Sequence, residues 1–273
     1  MPISRKLASL VAVVLLAGLT LSACGDKDNG DADTKAKSSS SASDKELTAE
    51  TFFTTLIDEQ QKAGSAHTAM TIGVGGQSIT ADGDTEFGKT LADTSVSMDM
   101  DMGSAGPATM KLLLVDGIMY MNLGQVTKGK YAKFDLADDD NAFAKHFSQM
   151  ADQMDPSKQL EEFKNAVKSF EKKGKPKQLD GVEAQPYEIV LDTTKVDAFS
   201  EVPGGAGVPK TITYVMYLGS DNRLRRMTAN VSGSKTQVDF SKWGEDVDIK
   251  APPASEVTDQ DLSKLMGGAP TTS

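Results

Sequence analysis

The chain has 273 residues, a formal net charge of −10, one cysteine and thirteen methionines. Its acidic balance argues against a nucleic-acid partner and against electrostatic docking on anionic lipid headgroups, so that a basic patch is not expected to attach the protein to a membrane. A single cysteine permits no intramolecular disulfide, so a stable fold must rest on a hydrophobic core. The chain is long enough to build such a core within one domain.

Residues 1–23 have the order of a secretory signal: Arg5 and Lys6, an apolar run over 7–19, and small residues before Cys24. A cysteine after such residues resembles the lipobox of bacterial lipoproteins. The resemblance implies that Cys24 is acylated and begins the mature protein, whose net charge is then −12 because Arg5 and Lys6 are lost. The alternatives are an ordinary secretory signal with an incidental cysteine, or a membrane anchor shorter than the about 20 residues of a spanning helix.

Residues 25–46 are almost free of apolar side chains and include four consecutive serines. Such a segment buries too little to offset the entropy of ordering it, and we interpret it as a flexible tether. Order is expected from Thr48, which can cap a helix, to a C-terminal stop at Gly64. The apolar face of this helix consists of Phe52, Phe53, Leu56 and Ile57.

After this helix the hydrophobic period becomes two, which is typical of half-buried antiparallel strands. The clearest case is the segment 96–102, in which apolar and polar residues alternate strictly. Asp116-Gly117 predicts a tight hairpin turn. The other strands of this block are predicted at 68–74, 77–87, 108–115, 117–123 and 130–136.

The period then returns to that of a helix. Asp155 followed by Pro156 is a helix start signal. The pattern predicts a helix pair over 141–154 and 157–172. The apolar stripe of this pair consists of Phe143, Phe147, Met150, Met154, Leu160, Phe163, Val167 and Phe170.

A second block of strands follows the helix pair. A hairpin is predicted over 177–191, turning at Asp180-Gly181. The remaining strands are predicted at 210–218, 223–232 and 237–243, with a helical turn at 194–199, a loop at 203–209 and irregular chain from 252. The sum is an α+β fold in which amphipathic helices lie on one face of a large antiparallel sheet of about ten strands.

The sequence contains no constellation suited to catalysis. Its two histidines, His67 and His146, lie on a predicted strand and on the polar side of a predicted helix. There is no nucleophile elbow, zinc-protease helix motif or phosphate-binding glycine loop. The acidic run 138–140 and the pair Asp99/Asp101 lack the spacing of a calcium loop, and we interpret them as solvated surface. We expect no catalytic residue, no metal site and no cofactor.

Methionine is the unusual residue of this chain, because nine of the thirteen fall on predicted strands. Strands in ordinary cores favour branched and aromatic residues. Methionine is flexible and polarizable, and it recurs on surfaces that accept varied apolar partners. These positions are either a closed core or the lining of a long apolar cavity, enclosed between a wide sheet and aromatic-rich helices.

The segment 238–253, VDFSKWGEDVDIKAPP, resembles the closing strand and exit segment of the LppX/LprG family of actinobacterial envelope lipoproteins. The order of elements over 48–257 resembles that family as well. The resemblance implies a fold similar to the LolA and LolB lipoprotein carriers: a curved, half-open antiparallel barrel with helices over its concave face. It also implies non-covalent binding of acylated molecules, such as glycolipids or phospholipids, and it carries over no catalytic residue.

The leading hypothesis is a membrane-anchored envelope lipoprotein that binds acylated lipid or glycolipid in a hydrophobic cavity and carries it between the membrane and the outer envelope. An envelope transporter would be its protein partner. The alternative is a sensor or assembly partner that binds no lipid, has a filled cavity and works through an exposed acidic face. The segments are a signal peptide at 1–23, the lipidated cysteine and tether at 24–46, a lipid-binding domain at 47–257 and a tail at 258–273.

The predicted cavity lining combines apolar strand positions with a gate of helix positions. Lys111 and Glu188 indicate which alternate residues of their strands face inwards, because charged side chains should face outwards. In 210–218, Val215 and Tyr217 are apolar too, so the sequence leaves open which alternate residues of that strand face inwards; this choice between the two sets is called the parity of a strand. The strand positions are Met70, Ile72, Val96, Met98, Met100, Met102, Met110, Leu112, Leu114, Tyr187, Ile189, Leu191, Ile212, Tyr214 and Met216. The gate positions are Phe143, Phe147, Phe163 and Val167.

Overall fold

The computed structural model describes residues 47–74, 76–88, 90, 93–103, 109–136, 162–196, 199 and 208–258. The helix α1 spans Ala49–Ala63, residues 162–166 are also helical, and 3₁₀ turns lie at Thr193–Lys195 and Ala254–Glu256. The strands are β1 (Ser65–Val74), β2 (Gln77–Glu86), β3 (Ser95–Asp101), β4 (Met110–Val115), β5 (Ile118–Asn122), β6 (Tyr131–Asp135), β7 (Val167–Lys172), β8 (Lys177–Leu179), β9 (Val182–Asp192), β10 (Thr211–Gly219), β11 (Leu224–Val231), β12 (Ser234–Ser241) and β13 (Val257–Thr258).

The strands form one open sheet in the order β13-β6-β5-β4-β3-β2-β1-β12-β11-β10-β9-β7, and β8 pairs with β9. Every pairing is antiparallel except that of β13 with β6, which is parallel. The predicted fold class, a large antiparallel sheet with helix on one face, is confirmed. The sheet has thirteen strands where about ten were predicted, and β13 lies in the segment predicted to be irregular. No helix in the described part of the chain is long and apolar enough to cross a bilayer.

The start of α1 is fixed by a reciprocal cap between two threonines. The backbone N–H of Thr51 donates to Thr48 Oγ1 at 3.3 Å, and the backbone N–H of Thr48 donates to Thr51 Oγ1 at 3.0 Å. These bonds satisfy donors that a helix terminus otherwise leaves free. Gly64 ends the helix with a left-handed φ of 79°, which glycine adopts without strain. Both ends lie where the sequence predicts them.

Two Asp-Gly pairs close hairpins, as predicted. Asp116 and Gly117 have φ of 53° and 72°, and Asp180 and Gly181 have φ of 50° and 73°. Positive φ at both central residues is the geometry of a type I′ turn, whose twist matches that of the strands it joins. The β4–β5 and β8–β9 connections are therefore encoded locally.

The predicted helix over 157–172 is wrong in its second half, because β7 begins at Val167. A bulge in the β7–β9 ladder leaves Lys168 without a residue opposite it on β9, because Val167 pairs with Leu191 and Ser169 pairs with Val190. The bulge places Val167 and Phe170, three residues apart, against the same core. That spacing imitates the period of a helix. The predicted helix over 141–154, with Phe143 and Phe147, lies outside the described residues.

The pairing register brings one alternating, mainly apolar set of residues from each strand between β6 and β7 to the same face, while a few apolar residues such as Leu113 and Tyr217 lie on the other face. Residues directly opposite each other in an antiparallel pair share a face, and residues two apart along a strand do as well. One row across the sheet runs through Met110, Met100, Ala81, Met70, Val238, Met227, Met216 and Tyr187. The sheet thus presents a single apolar face, which we call the inner face.

Gly83 allows β2 and β3 to approach each other on the inner face, opposite Met98. A Cβ at Gly83 would lie 2.0 Å from the carbonyl oxygen of Ser97 and 2.8 Å from Cα of Met98. Both contacts are to backbone, which cannot rotate away. We expect Gly83→Ala to lower the free energy of unfolding by more than about 2 kcal/mol, measured by urea denaturation.

The matched control is Gly73→Ala on β1, where the Cβ would meet its nearest atom, the carbonyl oxygen of Lys235, at 3.7 Å. This is ordinary van der Waals contact, so the change should stay within about 0.5 kcal/mol. Equal effects of the two substitutions would contradict the close approach at Gly83.

Candidate functional site

One half of the inner face, on β1, β12, β11, β10, β9 and β7, is a closed core under α1. Phe52 and Phe53 of α1 are fully buried against it. The rings of Phe53 and Phe163 stack at 6.0 Å, and Phe52 meets Phe170 edge-on at 5.1 Å. Six of the predicted cavity residues in this core are at most 2% exposed: Phe163, Ile189, Leu191, Ile212, Tyr214 and Met216. Three others, Met70, Tyr187 and Val167, pack against it and are half-buried. The parity that the sequence left open on β10 is therefore inward for Ile212, Tyr214 and Met216.

The other half of the inner face, on β3 to β6, is less covered. Val96, Met98, Met100, Met110 and Leu112 are only half-buried. Leu114 beside them is buried, and so is the cluster of Met119, Leu123, Ala132 and Phe134 on β5, β6 and the loop between them. Met110 and Leu112 pack against that cluster. This half has the partial exposure that an acceptor surface for an apolar ligand requires.

Met70 joins the two halves. It packs against the closed core and also against a small cluster of Ile72 and Ile79, which Met102 contacts as well. These contacts lead from the closed core to Met102, just beyond β3, and the register adds a row from Met70 through Ala81 to Met100 on β3. A flexible, unbranched side chain stands at the junction, where packing must adapt if either half changes its contents.

The opposite face of the sheet, the outer face, carries the charges. The Nδ1 and Nε2 atoms of His67 lie 2.7 Å from Asp84 Oδ1 and 3.3 Å from Asp82 Oδ2. Lys111 Nζ donates to Asp99 Oδ2 at 3.2 Å. Within the described residues no group of three or more histidine, cysteine, aspartate or glutamate side chains is arranged to hold a metal ion. Segregation of charge to the outer face keeps the inner face apolar.

Further charged side chains on the outer face form two groups, one on β11 and β12 and one on β7 and β9. Arg226 pairs with Asp239, and Gln237 Nε2 donates to Asp239 Oδ2 at 2.6 Å. Lys173 bridges Glu171 and Glu188 at 2.8 and 3.3 Å. The carboxylate of Glu188 thus points outwards, as the sequence predicted from its charge.

Tyr214 is a polar exception inside the closed core. The residue is fully buried, and its hydroxyl has no hydrogen-bond partner. Burial raises the pKa of this phenol above its usual range, so the hydroxyl stays neutral. A buried hydroxyl without a partner destabilises a fold, since it gives up its hydrogen bonds to water.

The structure brings the predicted strand positions together on the inner face, while their role in binding a ligand stays a prediction. Val167 lies on β7, not on a gate helix, and Phe163 packs in the closed core. Phe143 and Phe147 lie outside the described residues. Sequence reasoning missed inner-face residues on β5 and β6: Met119, Met121 and Phe134. The signal was absent on β5, because Ile118 to Met121 offers no charged residue to reveal the parity.

No protein-family model matches the chain, and comparison of its sequence with curated proteins finds no match. The structure is similar to the crystal structure of the lipoprotein LppX from Mycobacterium tuberculosis, with a TM-score of 0.53 and 13% sequence identity over 74% of this chain and 98% of LppX. LprF from Mycobacterium bovis is 16% identical over 75% of this chain and 96% of LprF, with a TM-score of 0.48. The likeness to LppX confirms, at the level of the fold, the resemblance seen in the sequence.

Removing the Tyr214 hydroxyl should stabilise the protein. Tyr214→Phe keeps the ring in the core and removes an unpaired polar group, so the free energy of unfolding should rise by about 1 kcal/mol in chemical denaturation. Tyr217→Phe, on the outer face of the same strand and only half-buried, is the control and should change little. A clear loss of stability in Tyr214→Phe would mean that the hydroxyl has a partner in the native protein.

Proposed function

We propose that this protein is an extracytoplasmic lipoprotein, anchored through an acylated Cys24, that binds acylated lipid on the inner face of its sheet and carries it between the membrane and the outer envelope. One observation carries the proposal. A row of the inner face runs from Met70 at the closed core through Ala81 to the half-buried Met100 and Met110, and the half-buried Met98 and Leu112 form the adjacent pair on β3 and β4. Such a surface has the chemistry of an acyl-chain site.

The physics of acyl burial is sufficient for affinity without polar contacts. Each methylene removed from water contributes about 0.8 kcal/mol, and a lipid chain carries roughly a dozen or more of them. The surface that receives them needs area and freedom from charge. The inner face supplies both, because the ionised side chains of Asp82, Asp99, Lys111 and Asp239 lie on the outer face.

Methionine suits a ligand whose chains vary in length and packing. Met98 and Met100 lie on β3, Met102 directly follows that strand, Met110 begins β4, and each of the four is half-buried. Their unbranched thioether chains can repack around different partners at small cost. We therefore expect selectivity for acylated molecules as a class, with weak discrimination between individual chains.

The proposal includes no catalytic activity and no cofactor. The structural neighbour LppX is named a lipoprotein, and the likeness in fold to LppX supports an envelope location. An envelope transporter remains the proposed protein partner, because a carried lipid must be handed on.

A sensor or assembly partner on the same scaffold is the second candidate. The observation that favours it is the acidic outer face of β2 and β3, where Asp82, Asp84, Asp99 and Asp101 follow one another on adjacent strands. In that case the inner face would be filled by the protein's own side chains. Surface carboxylates would then matter for function, and polar changes on the inner face would act through stability alone.

The test of lipid binding uses adjacent leucines that face opposite ways. Native mass spectrometry of the protein purified from a bacterial envelope should reveal added mass that extracts into organic solvent as acyl lipid. Leu112→Asp places a charge on the inner face and should remove that mass, as should Met98→Asp. Leu113→Asp, equally half-buried on the outer face, should retain it.

All three variants are first checked for folding by thermal denaturation, so that loss of lipid is compared only among folded proteins. Absence of lipid from the wild-type protein, combined with no uptake of added lipid, would overturn the carrier proposal in favour of the sensor. Retention of lipid by Leu112→Asp and Met98→Asp would show that the inner face is not the site.

Membrane attachment is expected to depend on Cys24. Cys24→Ala removes the only thiol that can be acylated, so the protein should move from the membrane fraction to the soluble fraction while its denaturation profile stays the same. Fractionation followed by immunoblotting measures this. Persistence in the membrane would indicate that the uncleaved apolar segment 7–19 is the anchor.

A further inference from the structure

The stretch from Gly117 to Phe134 differs in charge from the rest of the chain. It contains Lys128, Lys130 and Lys133 and no acidic residue, in a protein whose net charge is −10. None of these lysines forms an ion pair with a side chain in the described part of the structure. A local basic patch on an acidic protein concentrates attraction for anions at one place.

The loop between β5 and β6, residues 123–130, also exposes an apolar side chain. Val126 is 46% exposed, and among the described residues no other large apolar side chain is as open to solvent. Lys128 and Lys130 beside it are exposed as well. An apolar tip flanked by cations is the arrangement found on surfaces that lie at a lipid–water interface.

Hydrogen bonds hold this loop in shape, so the exposure of Val126 is built into the fold. The Leu123 N–H donates to Oγ1 of the buried Thr127 at 3.0 Å, and Thr127 Oγ1 donates to Asn122 Oδ1 at 3.3 Å. Asn122 Nδ2 donates to the Gly129 carbonyl at 2.8 Å, and the Gly129 N–H donates to the Gly124 carbonyl at 2.7 Å. The loop is therefore preorganised, and little ordering entropy remains to be lost on contact.

The loop is continuous with the less covered half of the inner face. Leu123 is buried in the same cluster as Met119 and Phe134, against which Met110 and Leu112 pack. A depression of about 990 Å³ is bordered by Thr109, Leu123, Gly124, Gln125, Val126, Lys128 and Gly129. Through Leu123, the loop that carries the exposed tip thus shares one apolar cluster with the candidate acyl site.

We propose that the 123–130 loop is the surface through which the protein contacts an anionic lipid bilayer, with Val126 at the acyl boundary and Lys128 and Lys130 at the headgroup phosphates. This inference rests on the proposed lipid-carrier function, to which it adds the point of exchange. The net charge disfavours docking by the protein as a whole, which leaves this patch to orient it. Lipid leaving the bilayer there meets the inner face directly.

The experiment measures binding to vesicles of phosphatidylglycerol and of phosphatidylcholine by co-sedimentation. The protein is the chain from residue 24 onward with Cys24→Ala, so that no acyl anchor contributes; all described core clusters lie within it. Wild-type loop sequence should bind phosphatidylglycerol and not phosphatidylcholine. The double variant Lys128→Glu/Lys130→Glu should bind at least about 30-fold more weakly, since each lysine at an anionic surface contributes roughly a factor of five.

The matched control is Lys175→Glu/Lys242→Glu, which makes the same change of charge at two exposed positions outside the loop, one between β7 and β8 and one directly after β12. It should retain binding. Val126→Ser, which alters no charge, should weaken binding several-fold. Equal losses in both double variants would mean that binding follows net charge, and would overturn the inference. So would unchanged binding in the loop variant, or no binding of phosphatidylglycerol vesicles by the parent protein.

Uptake of a fluorescent lysolipid, supplied below its micelle concentration, separates this inference from the proposed function. The loop variants should take up the dissolved lipid as the parent does, because the inner face is unaltered. Docking without any uptake would leave the membrane contact standing and refute the carrier proposal. If the loop variants lost lysolipid uptake as well as vesicle binding, the loop would belong to the lipid-binding site and would not be a docking surface.

Discussion

Register parity in the sheet is the constraint on which the rest of this structure depends. A shift of one residue in any ladder would turn a whole strand over and bring its charges to the inner face. No such shift occurs along the path of twelve paired strands. Where the alternation of apolar and polar residues is interrupted in the sequence, a β-bulge returns the following apolar residues to the inner face. The bulge at Lys168 keeps Val167 and Phe170 inside, and the irregularity after Tyr217 keeps Leu218 and Leu224 inside.

Because the parity holds, charge and apolar surface are separated across a single layer. On the outer face, polar side chains contact one another across neighbouring strands, as His67 contacts Asp82 and Asp84. The inner face is then free to be uniform, and its two halves differ only in what covers them. The closed half stabilises the fold through α1 and its aromatic contacts, and this stability supports a neighbouring half whose methionines stay partly exposed.

The proposed lipid-carrier function requires a rigid frame and an adaptable lining, and in this chain different residue types provide the two. Backbone pairing, the close approach at Gly83 and the hydrogen-bonded 123–130 loop are rigid features. Met70, Met98, Met100 and Met102 supply the adaptable surface, because a thioether chain repacks more easily than a branched one. The same division gives the proposed membrane contact a fixed position beside a lining that can yield.

Local signals by themselves determined much of this protein. The alternation over 96–102, the Thr48 cap, the Gly64 stop and two Asp-Gly turns predicted their elements correctly, since each is encoded within a few residues of chain. The tertiary structure decided what depends on a neighbouring strand. It placed Val167 on β7, because a bulge imitates helical spacing, and it set the parity of β5 and β10, where both faces are apolar. The tertiary structure also decided which inner-face residues are fully buried. Burial depends on which elements pack against a strand, and the alternation of residues within the strand does not reveal this.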